Sequence, residues 1–344
     1  SMLLGLAMVF CACLYMYFGN SFDSAKVLFA TIGVSFALIK VSVYSMIGLF
    51  THSKEEHNSF MSSIEGFFMV GIASAYFLFP AFFDTQNHDA WLRVYLLLAG
   101  LIALAFLLLL FSRVDVPIPK NEGSLKDDFT GMIRLIVLPL VLFFVLSAFL
   151  FVMVEQGIMT WLPTFNQNVL SLNPTLSVQM ASILALSLAL GRFVAGQIVK
   201  HISWVKLLTL CLLAAMAIVA FVLPQALTYH SDPIHSVIDV PLIGYVFPLI
   251  GLFISPVYPL ISSATLSALP QRMHSAMTGM IVIFSALGGT LGSRIIGMLF
   301  EHVGGAQAFY FMIVPITLLI ITLWLLDRSI NRYEAAHPVE QQAG

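Results

Sequence analysis

The chain has 344 residues, of which 60% are hydrophobic and only 9% charged, with a mean hydropathy of +0.97 and a net charge of −2 at pH 7. A soluble domain is nearer a quarter charged, so the composition excludes an ordinary soluble domain and specifies an integral membrane protein. No basic cluster exists to bind nucleic acid, and Cys11, Cys13 and Cys211 all fall inside apolar runs, giving neither a disulfide framework nor a zinc motif.

In chain order, Met2 opens directly into apolar sequence, without the basic stretch that begins a signal peptide. About twenty apolar residues cross ~30 Å of hydrocarbon. Windows of that length fall at 2–18, 28–50, 60–83, 93–112, 135–163, 178–199, 205–224, 240–265, 275–300 and 307–327. The expectation is therefore an all-α membrane protein. Only one connection is long, Arg113 to Ile133, and it carries the charged run PIPKNEGSLKDD. It divides the spans four plus six: a partial N-terminal helical bundle over 1–112, a linker over 113–133, a six-helix bundle over 134–330 and a tail over 331–344. Of the fifteen Lys and Arg residues, ten lie on the linker's side, two (Lys26 and Arg93) on the other, and three within spans. Positive residues are retained inside, so the linker and the C-terminus are expected in the cytoplasm, with the chain in the cell (inner) membrane.

Charges inside spans mark function, because each costs several kcal/mol in hydrocarbon unless it meets a partner or a watery cavity. Lys40 and Glu65 lie about 15 Å and 8–10 Å from the same ends of neighbouring helices, close enough to meet either as a switch or as a permanent brace. In the second half, Glu155 and Arg294 are each expected about 10–12 Å from the outer ends of their helices and within reach of one another. Such a pair could couple a proton, since a desolvated carboxylate gains proton affinity when its cation leaves, or it could brace an outer gate. Gln156, Trp161, Asn166 and Tyr258 are uncharged groups of the kind that bind sugars, by ring stacking and by amide bonds to hydroxyls, although Trp161 equally suits an interfacial belt.

Two stretches carry a resemblance. The tail of GRFVAGQIVKHISWVK, with Gly196, Lys200, His201, Ser203 and Lys206, resembles a degenerate second copy of the G-x-x-x-D-R-x-G-R-R/K loop of the major facilitator superfamily. Pro256 and Pro259 around Tyr258, followed by a helix with Gly288, Gly289 and Gly292 beside Ser285 and Ser293, resemble the tenth and eleventh helices of that superfamily's fucose and glucose/galactose porter branch. The small residues at four-residue spacing let helix backbones approach closely. The resemblance implies a fold of six plus six helices, of which ten of twelve are in this sequence, and it implies a gating or structural role for Arg192, near the cytoplasmic end of the second helix of the C-terminal half, with substrate contact as the alternative. A five-plus-five transporter is the rival topology, but its midpoint has no long loop. In fucose-type porters the fourth helix carries an acidic residue and the fifth an asparagine; matching the helices puts Lys40 and Glu65 at those positions, so polarity is retained but the charges differ.

No G-x-x-x-x-G-K-[ST] cradle for ATP is present, no two of the nine histidines have ligand spacing inside a span, and no cofactor or metal is expected. The reading is a monomeric secondary active transporter, not an enzyme, whose partners are a small-molecule substrate, protons and the lipid bilayer. Proton-coupled sugar symport by alternating access fits best. A proton-coupled drug or organic-anion transporter of the same fold is the alternative, and a non-transporting membrane sensor is disfavoured by the lack of a large loop or soluble domain.

Overall fold

A computed structural model describes residues 1–50, 54–84, 86–87, 89–112, 135–199, 201–229 and 233–337, with the side chains at 41, 44–50, 54–63, 65, 66, 271, 272, 274, 275 and 278 outside that description. The chain divides into two compact units, Ser1–Asn121 and Glu122–Gly344. Among the described residues nine helices are long and apolar enough to cross a membrane, and in the third window the described residues add the apolar helical stretch Phe67–Phe82. Regular strands are absent among the described residues, and a single bridge joins Leu172 to Ile234.

The first unit contains α1 (Met2–Gly19), α2 (Phe22–Phe50), α3 (Lys54–Leu78) and α4 (Arg93–Phe111). Its core forms where α1 packs against α2 and α4, around Ala12, Cys13, Met16, Leu28, Leu92 and Ala99. The turn from α1 to α2 is set locally. Asn20 takes a left-handed conformation at φ 36° and its N–H closes on the Met16 carbonyl, as short polar residues do at helix ends. Ser21 and Ser24 then exchange backbone-to-hydroxyl bonds at 3.0 and 3.1 Å and so cap the start of α2.

The second unit runs α5 (Pro139–Asn168), α6 (Pro174–Ile198), α7 (Trp204–Thr228), a broken span, α11 (Gln271–Val303), α12 (Gly305–Tyr310) and α13 (Ile313–Ala336). The broken span comprises α8 (Leu242–Val246), a 3-10 turn, α9 (Ile250–Ile254) and α10 (Val257–Ala268). At its centre lies α5: 72% of its apolar window is buried, against 39% for α7, and it packs against α6, α10, α11 and α13. Pro174 opens α6, where the missing N–H costs nothing, and the Asn173 side chain caps it by accepting from Leu176 N at 2.8 Å. Replacing Asn173 by Ala is expected to cost about 1 kcal/mol, read as a lower thermal midpoint of the purified protein.

One element boundary differs from the sequence expectation for a physical reason. The fifth window was expected to close at Pro163, yet α5 continues through that proline to Asn168. Buried packing of Leu162, Phe165 and Asn166 sustains the last turn although Pro163 removes one ladder bond. The eighth window is broken at Ser255–Pro256, as the two prolines around Tyr258 lead one to expect, because Pro256 and Pro259 withhold N–H groups from the carbonyls of Leu252 and Ser255.

Candidate functional site

The second unit brings Glu155 and Arg192 together. The Arg192 Nη2 donates to Glu155 Oε1 at 3.2 Å, and the two side chains are 9% (Glu155) and 21% (Arg192) exposed. Geometry explains the match. Glu155 lies thirteen residues before the end of α5, and Arg192 eighteen residues after the start of α6, so they sit about 20 Å and 27 Å below the shared turn at 1.5 Å per residue. Helical side chains lean toward their own N-terminus. Because the two helices run antiparallel, the carboxylate leans down and the guanidinium leans up, and they close the gap.

The expected partnership of Glu155 with Arg294 is therefore corrected. Arg294 is exposed, and its position on α11 explains why. Gly288 and Gly292 turn one face of α11 onto α5, so closely that a Cβ on either would strike the carbonyl oxygen of Phe149 or Met153. Arg294 follows Gly292 by two residues, about 200° around the helix, and so emerges on the opposite side. The expected depth of Glu155 is corrected too: with α5 continuing past Pro163, the carboxylate lies near mid-helix rather than near an end.

Around the pair, the broken span supplies polar groups. A Cβ on Gly191, the neighbour of Arg192, would strike the Leu252 carbonyl and the Ser255 hydroxyl, so α6 meets the broken span where prolines interrupt its hydrogen bonding. Tyr258, three residues on and half-buried, has its ring 6.1 Å from that of Phe151, one turn before Glu155 on α5. Gln156 is half-buried, its side chain against Gly289.

Trp161 and Asn166 sit in helix packing. The Trp161 indole N–H donates to the Ser293 carbonyl at 2.7 Å, and its ring stacks on Phe300 at 5.3 Å over Gly297. Asn166 is 0% exposed, and its Nδ2 donates to the Ser177 carbonyl at 3.0 Å, tying α5 to α6. Trp161→Phe should keep the stack and lose one hydrogen bond, about 1 kcal/mol, leaving transport intact. Loss of transport at unchanged stability would instead place Trp161 against the substrate.

In the first unit Lys40 is half-buried, with its ammonium 5.4 Å from the centroid of the Phe36 ring. The expected partner Glu65 and the loop residue Lys200 lie outside the described side chains. Ser255, Ser177 and the Ser293 carbonyl were not singled out from sequence; a serine directly before a proline inside an apolar window was the available signal for Ser255.

The Major Facilitator Superfamily profile matches residues 1–293. The chain belongs to the major facilitator superfamily. It is thus a multi-pass membrane protein, a secondary transporter of small molecules and not an enzyme. Solved structures share the fold. A point variant of the E. coli fucose:proton symporter FucP aligns with a TM-score of 0.65 at 14% identity, covering 94% of this chain and 83% of that one. An outward-conformation FucP structure gives 0.65 at 14% identity, covering 94% and 82%. A bacterial homolog of the human lysosomal transporter Spinster, inward-facing and occupied, gives 0.69 at 13% identity, covering 96% and 83%. No curated protein matches the chain. Within this superfamily member, the Glu155–Arg192 pair joins α5 to α6 by a largely buried salt bridge.

Proposed function

We propose that this transporter is a proton-coupled sugar symporter of the cell (inner) membrane with a cytoplasmic C-terminus, working by alternating access. The observation that carries the reading is the Glu155–Arg192 pair near the middle of α5. A carboxylate there is costly unless paired or protonated. If substrate arrival draws Arg192 away, the negative charge left without its cation favours proton uptake at Glu155, and return of Arg192 expels the proton. That is the exchange a coupling residue must perform. Gln156, next to Glu155 on α5, and Tyr258, against Phe151 one turn earlier, supply sugar-bonding groups within the second unit. Trp161 and Asn166 position α5, and Gly288, Gly289 and Gly292 fix its contact with α11. For the alternative substrate class, the Lys40 ammonium is the group that an organic anion would use.

Uptake of labelled sugars into proteoliposomes, with and without an imposed pH gradient, tests the reading. Gradient-dependent sugar accumulation, abolished in Glu155→Gln with exchange retained, supports it. Efflux of drugs or organic anions in place of sugar uptake would establish the alternative substrate class, and failure to move any solute would return the chain to a sensing role.

A further inference from the structure

The broken span carries a feature that the Glu155–Arg192 pair does not account for. Ser255, Tyr258, Ser262 and Thr265 recur at spacings of three, four and three residues; the last three lie on α10 within an arc of about 60° of one face, and Ser255 precedes them at the break. Ser255 and Thr265 are 0% exposed, and the hydroxyl oxygens of Ser255, Ser262 and Thr265 are buried with no hydrogen-bond partner among the described residues. Helical hydroxyls ordinarily turn back onto the carbonyl four residues earlier. Thr209, Thr290, Thr317 and Ser329 of the same unit do so at 2.7–2.8 Å. The three on the broken span do not.

Buried polar groups are almost always bonded, and where no protein group serves, an internal water does. The spacing suits water. Successive members of the stripe are separated by rises of about 4.5 to 6 Å, close to the span of two O–H···O bonds through one water, at about 2.8 Å each. The upper end of the stripe lies one residue along α6 from the pair, where the Ser255 hydroxyl rests against Gly191, the chain neighbour of Arg192. The lower end is Thr265, three residues before the span closes at Ala268. Between them Tyr258 contributes a phenol next to Phe151.

We propose that this hydroxyl stripe holds a file of water that carries protons between the Glu155 carboxylate and the end of the span at Ala268. The proposal rests on Glu155 being the proton-coupling group. Each water or hydroxyl accepts a proton from one neighbour and passes its own to the next. A proton taken up at the helix end thus delivers a different one to Glu155, with no bond between heavier atoms made or broken and no other reactant consumed.

Two measurements on the full chain in liposomes test it. In a background with Cys11, Cys13 and Cys211 changed to Ala, Ser262→Cys and Thr265→Cys are exposed to Ag⁺, then unfolded and labelled with N-ethylmaleimide. Both should lose labelling through silver protection, whereas Ile261→Cys, on the neighbouring buried position, should keep it. Protection of none of the three would overturn the water file whatever solute is carried. The second measurement follows sugar-linked proton influx with an internal pH dye. Ser262→Ala combined with Thr265→Val should slow it about a hundredfold, the lower end of what a positioned proton-transfer group contributes, and leave sugar counterflow unchanged. Undiminished influx would overturn the file while leaving Glu155 as the coupling group. If the wild-type protein accumulates sugar with no proton influx at all, the role of Glu155 fails and proton conduction along the stripe fails with it.

Discussion

Glu155→Ala is expected to abolish transport and to destabilise the protein by about 3–5 kcal/mol, the usual cost of leaving one half of a buried ion pair behind. The loss arises because the Arg192 side chain, 21% exposed, would keep its charge in a helix bundle without its carboxylate partner. Two companion variants separate charge from architecture. Glu155→Gln retains shape and a hydrogen-bond acceptor, so its thermal midpoint should fall less, while gradient-driven accumulation is lost. The double variant Glu155→Ala/Arg192→Leu removes both charges and should recover much of the stability without recovering transport. Thermal unfolding in detergent and uptake in proteoliposomes read the two effects independently. Equal stability losses in the single and double variants would show that the pair is not what holds α5 to α6.

Gly292→Leu should prevent the second unit from assembling. A Cβ at that position would collide with the Met153 carbonyl, a backbone atom that cannot step aside as a side chain could. Gly292→Ala is the milder test, expected to cost at least about 1–3 kcal/mol, the range for overpacking a dense interface. Gly288, facing the Phe149 carbonyl, should behave alike. Gly196→Ala is the control: nothing lies within 4 Å of its added methyl, so the substitution should be neutral or stabilise the helix by up to about 1 kcal/mol. Yield of folded protein on size-exclusion chromatography and the thermal midpoint distinguish these outcomes.

Much of the fold was legible because a bilayer imposes a length on every span, and runs such as those opening at Met2 and Arg93 can hardly be anything else. The glycine and proline patterns around Tyr258 and Gly288 also carried real information, since only small residues permit such close backbone contact. The partner of Glu155 was not legible. Depth counted from Pro163 assumed that the proline ends the helix, whereas neighbouring packing carries α5 past it, moving the carboxylate toward mid-helix. Nor could linear spacing reveal which way Arg294 emerges; that follows from Gly288 and Gly292 being pressed against α5. Trp161 shows the same limit, because an indole suited to stacking on a sugar here stacks on Phe300.

Helices α5 and α11 contain 30 and 33 residues, about 45 and 50 Å of helix, so both outreach the ~30 Å hydrocarbon layer. Pressed backbone to backbone at two glycines, they form one stiff strut. Any flexing inside this unit must then be taken up elsewhere, and the interrupted stretch at Ser255–Pro256, with fewer internal bonds to break, is its natural hinge.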